Sequence, residues 1–294
     1  MASWIEEFLW RIDLMKRVFA IVFVLSAWAV PASAQQRPLM TEDPETIGAG
    51  LVLLEGGIDQ QREVFYPASG LQGNLLRFPT LGVSFGISSI AELQIDGGLY
   101  NRLSITSREP APFSNQLDFS GDSTHAVEDI VVATKIRLLS ETPSRPAFGI
   151  RLATKLPNAS NESGLGLDTT DFYVSGLVGK TVQSIRFVGN VGLGILGDPV
   201  RGDRQNDVLT YGASIARAVR QGLEIVGEIN GRIDTREGDA PVGTESRGAM
   251  RIGGRFTRGT VRADAGLIFG MTSRDPSIGV TAGLTWVFRG FTLP

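Results

Sequence analysis

The chain has 294 residues, 20% of them charged, with a formal charge of −3, 36 glycines and no cysteine. That excludes a disulfide framework, a thiolate metal centre and a lipid-bearing N-terminal cysteine, and it lends no support to a nucleic-acid partner. Glycine at about 12% of the chain exceeds the usual ~7% and argues against a helical protein.

The N-terminus reads as an export address. Met15-Lys16-Arg17 is basic, Val18–Val30 is apolar and Ala32-Ser33-Ala34 is an A-x-A site, so 1–34 is expected to be a signal peptide cleaved before Gln35. The apolar run falls short of the ~20 residues of a spanning helix and stops at Pro31. Met1–Leu14 reads as an over-long start, with initiation at Met15. The polar stretch 35–47, opening QQRPLMTEDPE, reads as an extended periplasmic lead-in.

From Gly48 onward the pattern has a period of two. Alternating segments are expected at Gly48–Gln60, Leu75–Ile87, Ala91–Ile105, His125–Leu139, Pro146–Leu156 and Asp171–Lys180. They continue at Ile185–Leu196, Val208–Val219, Leu223–Thr235, Gly248–Phe256, Val261–Met271 and Ile278–Phe288. Short links (Ser88–Ile90, Glu141–Arg145, Thr181–Ser184, Arg220–Gly222, Thr257–Gly259) alternate with longer polar ones, such as Thr106–Thr124 and Pro157–Thr170. Twelve such segments over 48–294 predict an all-β chain: a transmembrane antiparallel up-and-down β-barrel of about 12 strands. With strands ~4.8 Å apart and tilted ~40°, twelve close at roughly 24 Å between backbones, leaving a narrow lumen.

The last segment shows the facing best. Ile278, Val280, Ala282, Leu284, Trp286 and Phe288 make one apolar face that ends in aromatics, while Gly279, Thr281, Gly283 and Thr285 are small. It resembles the closing strand that marks bacterial barrels for their assembly machinery. A charge facing lipid at the midplane costs about 2–4 kcal/mol, so charges should collect inside. The expected lumen-lining set is Glu92, Asp96, Lys135, Arg137, Arg151, Arg186, Glu224, Glu228, Arg251, Arg255 and Arg262. The same parity puts Tyr100 and Arg102 inside, and leaves Glu128 and Arg217 outside near strand ends. Antiparallel pairing should set Glu228 by Arg251, Glu224 by Arg255 and Arg255 by Arg262. Two acids facing three arginines would make that wall weakly selective for anions or acidic solutes.

Other motifs carry less. Gly192–Gly197 fits G-x-G-x-x-G, but a loop follows where a dinucleotide site needs a helix, so it reads as small residues in a strand. His125, the one histidine, lies near Ser120 and Ser123, yet nothing orients it as a base. Asp198, Asp203 and Asp207 lack calcium-loop spacing. No catalytic set, metal or cofactor is indicated.

Thr41-Glu42-Asp43-Pro44-Glu45-Thr46-Ile47-Gly48-Ala49-Gly50 with Leu53-Leu54-Glu55-Gly56-Gly57, and Glu128–Lys135 further on, resemble a family of outer-membrane transporters named for the meta-pathway of phenol degradation. The resemblance implies a barrel in the bacterial outer membrane that passes small molecules, and it supplies no site residues. The expectation is a narrow passive pore or uptake channel for small solutes, aromatic or acidic, surrounded by outer-membrane lipid, and not an enzyme. The alternatives are a lipase-like outer-membrane enzyme and a non-conducting barrel whose inward charges merely satisfy one another.

Overall fold

The computed structural model describes residues 37–292; the expected signal peptide lies outside them. Fourteen strands form one antiparallel sheet. They are β1 Leu51–Tyr66, β2 Leu71–Gly86, β3 Ala91–Gly98, β4 Asn101–Arg108, β5 Ser123–Ala126, β6 Val131–Leu139 and β7 Ala147–Lys155. The rest are β8 Asp171–Val182, β9 Ile185–Gly197, β10 Gln205–Arg220, β11 Leu223–Asp234, β12 Arg247–Arg258, β13 Val261–Gly270 and β14 Ile278–Arg289.

The barrel has twelve staves. β1 pairs with both β2 and β14, closing the ring. β3 and β4 are two halves of one stave, since β2 pairs with β3 through Thr80–Gly86 and with β4 through Leu71–Arg77. β5 and β6 likewise continue one stave, pairing with β4 and β3 respectively. Short turns at 87–90, 140–146, 183–184, 221–222 and 259–260 share one rim, the turn end, with the start of β1 and the end of β14. The long loops share the other rim, the loop end, together with the short 67–70 hairpin.

Alternation sorts the faces. On β11, Ile225, Ile229 and Ile233 are exposed on the outside, whereas Val226 and Glu228 are buried inside. Phe148, Phe187, Phe256 and Trp286, each within three residues of the turn end of its strand, ring the outer surface there, as an interfacial girdle requires.

A line of irregularities crosses four neighbouring staves and corrects part of the expected facing. Register shifts occur in β1 between Gln61 and Val64 and between β1 and β2 near Asp59, and the β3/β4 and β5/β6 breaks lie at facing levels. A bulge adds one residue and turns the following side chains over. Beyond the β3/β4 break Asn101 and Leu103 are buried inside, so Tyr100 and Arg102 face outward, contrary to the simple parity. Glu128, expected outside, turns in to form an ion pair with Arg77. Arg217 stays exposed on the outer face near the turn end.

Leu284 sits mid-strand on the outside, while Ser214 faces inward opposite Glu228 on β11. Leu284→Arg should cost about 2–4 kcal/mol in lipid and largely abolish the heat-modifiable folded band on gels, whereas Ser214→Arg should leave the band intact. Equal loss in both variants would show the facing to be wrong.

Candidate functional site

The lumen is not empty. Residues 37–47, expected as a periplasmic lead-in, run inside the barrel and bond to its inner wall. Electrostatics draws the segment in. The segment carries Arg37 at one end and Glu42, Asp43 and Glu45 at the other, and the wall is charged in the opposite sense at each place.

The acidic end meets the wall made by β3, β6, β7 and β9. Lys135, fully buried, lies 3.3 Å from Glu42 and 3.0 Å from Glu92. Arg151 Nε lies 3.0 Å from the same Glu42, with its Nη2 3.6 Å from Asp96. Arg186 donates through Nε and Nη2 to both oxygens of Asp43, at 2.8 and 2.6 Å, and also pairs with Glu141. Arg137 pairs with Glu45 and donates to Ser89 O at 2.8 Å. Glu141, in the 140–146 turn, feels desolvation that would raise its pKa. The Thr181 N–H bond, the charge of Arg186 and hydrogen bonds from Lys180 and Arg186 outweigh it and hold the carboxyl below its ordinary value.

The segment's own backbone is held as well. Glu228 accepts hydrogen bonds from the N–H of Met40 at 2.8 and 3.0 Å and from the N–H and hydroxyl of Thr41 at 2.8 and 2.7 Å. Glu42 N–H donates to Asn190 Oδ1 at 2.7 Å, and Asn190 Nδ2 donates back to Glu42 O at 2.8 Å. Ile47 N–H donates to Glu92 at 2.8 Å. Leu39 packs on Ala216 and Val226. Inward glycines make room: a Cβ at Gly149 or Gly179 would press on Pro44, at Gly212 on Thr41, and at Gly253 on Pro38.

The basic end, Arg37, reaches across to β1, β2, β13 and β14. Above the segment, toward the loop end, a cavity of about 380 Å³ remains, bounded by Arg37, Met40 and Glu42 below and by Asp59, Arg77, Asp96 and Glu128 on the wall. At the loop end itself, Leu117, Phe119 and Leu165 from the loops cover an apolar cluster of Val64, Leu71, Leu75 and Leu103.

All eleven expected residues face inward, but most are engaged with the segment or with each other instead of bordering an open path. The register sets Glu224 opposite Arg255 and Glu228 opposite Arg251, as expected. β12 runs on to Arg258 before turning, so Arg255 faces Asp264 and Arg262 faces Thr257. Asp264 thus balances that wall at three acids and three arginines, which removes the basis for an anion preference. Arg255 and Arg262 share Glu224, at 4.0 and 3.7 Å. Arg37, Glu42, Asp43 and Glu45 lie outside the strands, where alternation gives no sign of them. Four charges in a short export-side stretch, which also opens the family resemblance, were the available signal.

His125 is exposed on the outer face of β5, its ring 5.6 Å from that of Tyr100. Among the described residues it forms no hydrogen bond with Ser120 or Ser123. Asp198 caps its own loop, accepting from the N–H groups of Val200 and Arg201 at 2.9 and 3.0 Å.

No family model matches the chain, and neither does any curated protein. Solved structures do. The COG4313 outer membrane channel from Pseudomonas putida F1 superposes with a TM-score of 0.60 at 12% identity, over 84% of this chain and 98% of that one. The translocator domain of the autotransporter NalP from Neisseria meningitidis gives 0.46 at 12% identity, over 96% and 98%. The Pseudomonas putida toluene transporter TodX gives 0.41 at 10%, over 85% and 92%. The chain therefore has the β-barrel fold of bacterial outer-membrane proteins. At these identities the likeness concerns the fold alone.

A charge-assisted hydrogen bond contributes about 1.5–3 kcal/mol, so Glu228→Ala should free the segment locally. Hydrogen exchange at the Thr41 amide should then quicken by at least about tenfold, with β8–β10 amides unchanged. Thr41 exchanging at the wild-type rate in the folded variant would mean that Glu228 does not hold the segment.

Proposed function

We propose that this protein is a small-solute channel of the bacterial outer membrane, closed by its own residues 37–47, and that it acts in transport rather than catalysis. One observation carries the reading. Each wall cation that the segment's acids hold has a second partner on the barrel: Glu92 for Lys135, Asp96 for Arg151, Glu141 for Arg186 and the Ser89 carbonyl for Arg137. Stranding a buried charge costs several kcal/mol. Here the segment's acidic end can withdraw without stranding one, as a removable closure demands and a permanent structural filling does not. The cavity above it gives solutes from the loop side a place to wait.

The resemblance to the phenol meta-pathway family supports uptake of small molecules, with outer-membrane lipid around the barrel and the barrel-assembly machinery handling its insertion. The lipase alternative would need His125, which faces outward beside Tyr100.

The test is conductance in planar bilayers. Glu42→Gln with Asp43→Asn weakens four charge-assisted contacts, those of Glu42 with Lys135 and Arg151 and two from Arg186 to Asp43, of about 1.5–3 kcal/mol each, so the open fraction should rise at least about tenfold over wild type. A variant that keeps the heat-modifiable folded band but conducts no more than wild type would overturn the reading. Lipid hydrolysis abolished by His125→Ala would replace it with the enzyme.

A further inference from the structure

The place where Arg37 sits is built as a receptor for its guanidinium. Nη1 donates to Thr80 Oγ1 at 3.0 Å, and Nη2 donates to Thr281 Oγ1 at 2.9 Å and to the Ala282 carbonyl at 3.0 Å. Asp59 stands 3.8 Å from Nη2 and Asp264 3.5 Å from Nε. Beneath the planar group lie Gly57 and Gly283, register partners on β1 and β14, where any Cβ would collide with the guanidinium. Acceptors placed around a flat fork over a side-chain-free floor suit a guanidinium and fit a tetrahedral ammonium poorly.

Asp264 distinguishes this end of the segment from the other. Its carboxylate is completely buried, neither oxygen accepts a hydrogen bond, and its ion-pair partner among the described residues is Arg37. When Arg37 leaves, the acidic end of the segment strands nothing, but this carboxylate loses its one ion-pair partner within 4 Å and keeps only the more distant Arg255 and Arg262. The cavity of about 380 Å³ opens onto Arg37 and Asp59, so a molecule waiting there meets the occupied receptor from its loop side.

We propose that this receptor is a solute-binding site of the channel for small guanidinium-bearing cations, and that Arg37 is its tethered occupant. A solute of this class competes with Arg37, supplies the charge that Asp264 needs, and so favours withdrawal of the segment. The proposal rests on the reading of residues 37–47 as a removable closure.

The test uses the full-length barrel in detergent, with methylguanidinium as ligand and tetramethylammonium at equal ionic strength as the charge control. Calorimetric titration should give binding at least about tenfold tighter to Arg37→Ala than to wild type, because the internal competitor is gone. Asp264→Asn added to Arg37→Ala should abolish it. In wild type, methylguanidinium alone should speed Thr41 amide exchange, which keeps the test decisive should Arg37→Ala not fold. Equal response to tetramethylammonium, binding indifferent to Asp264→Asn, or no effect on Thr41 exchange would each overturn the site. Binding is read without conductance, so a barrel that binds but never conducts refutes the channel and leaves the site standing. One that conducts but does not bind does the reverse.

Discussion

Lys135 is wholly buried, and a charge so placed must be matched or it does not survive folding. This constraint organises the lumen. An apolar exterior sends most strand charges inward, where a narrow twelve-stave barrel leaves little water to solvate them. The wall answers with cross-strand pairs such as Glu228–Arg251, at 2.9 Å. The segment 37–47 answers with the rest, its ends oppositely charged to suit two opposite arcs of the wall.

That complementarity explains why the segment is held by polar contacts and only lightly by apolar ones. Leu39 makes a small apolar contact, whereas Glu42, Asp43 and Glu228 hold the backbone and the basic wall together. Hydrogen bonds and ion pairs can be exchanged for bonds to water or to other wall groups, and the burial of a dry apolar core cannot. On the proposed reading such a closure can let go without the barrel unfolding, because most of its contacts are side-chain contacts outside the strand ladder.

The barrel was legible because each strand writes its own facing: Ile225, Ile229 and Ile233 against Val226 and Glu228 require no knowledge of any other strand. The twelve staves and the long–short order of connections follow from such local patterns. The breaks at 99–100 and 127–130 were not legible, since a bulge changes parity without leaving a composition signal, and Tyr100, Arg102 and Glu128 were misassigned for that reason. The pairing of Arg255 failed by two residues because the turn lies at 259–260, beyond Thr257. The candidate site was half visible. The eleven wall residues could be named from alternation, but their partners on 37–47 could not, because an irregular segment has no period to read and its contacts lie up to 245 positions away.

A barrel has one place where neighbouring strands share no nearby connection, the seam between the first and the last. Here that seam is β1 against β14. Arg37 bonds to Thr281 and Ala282 on β14, lies beside Asp59 on β1 and bonds to Thr80 on β2. The side chain that fills the lumen therefore also clasps the ring, reaching across the joint on which circular closure depends. Plug and hoop share a fastener, so a withdrawal of Arg37 would take one clasp from the joint and leave it to the β1–β14 ladder.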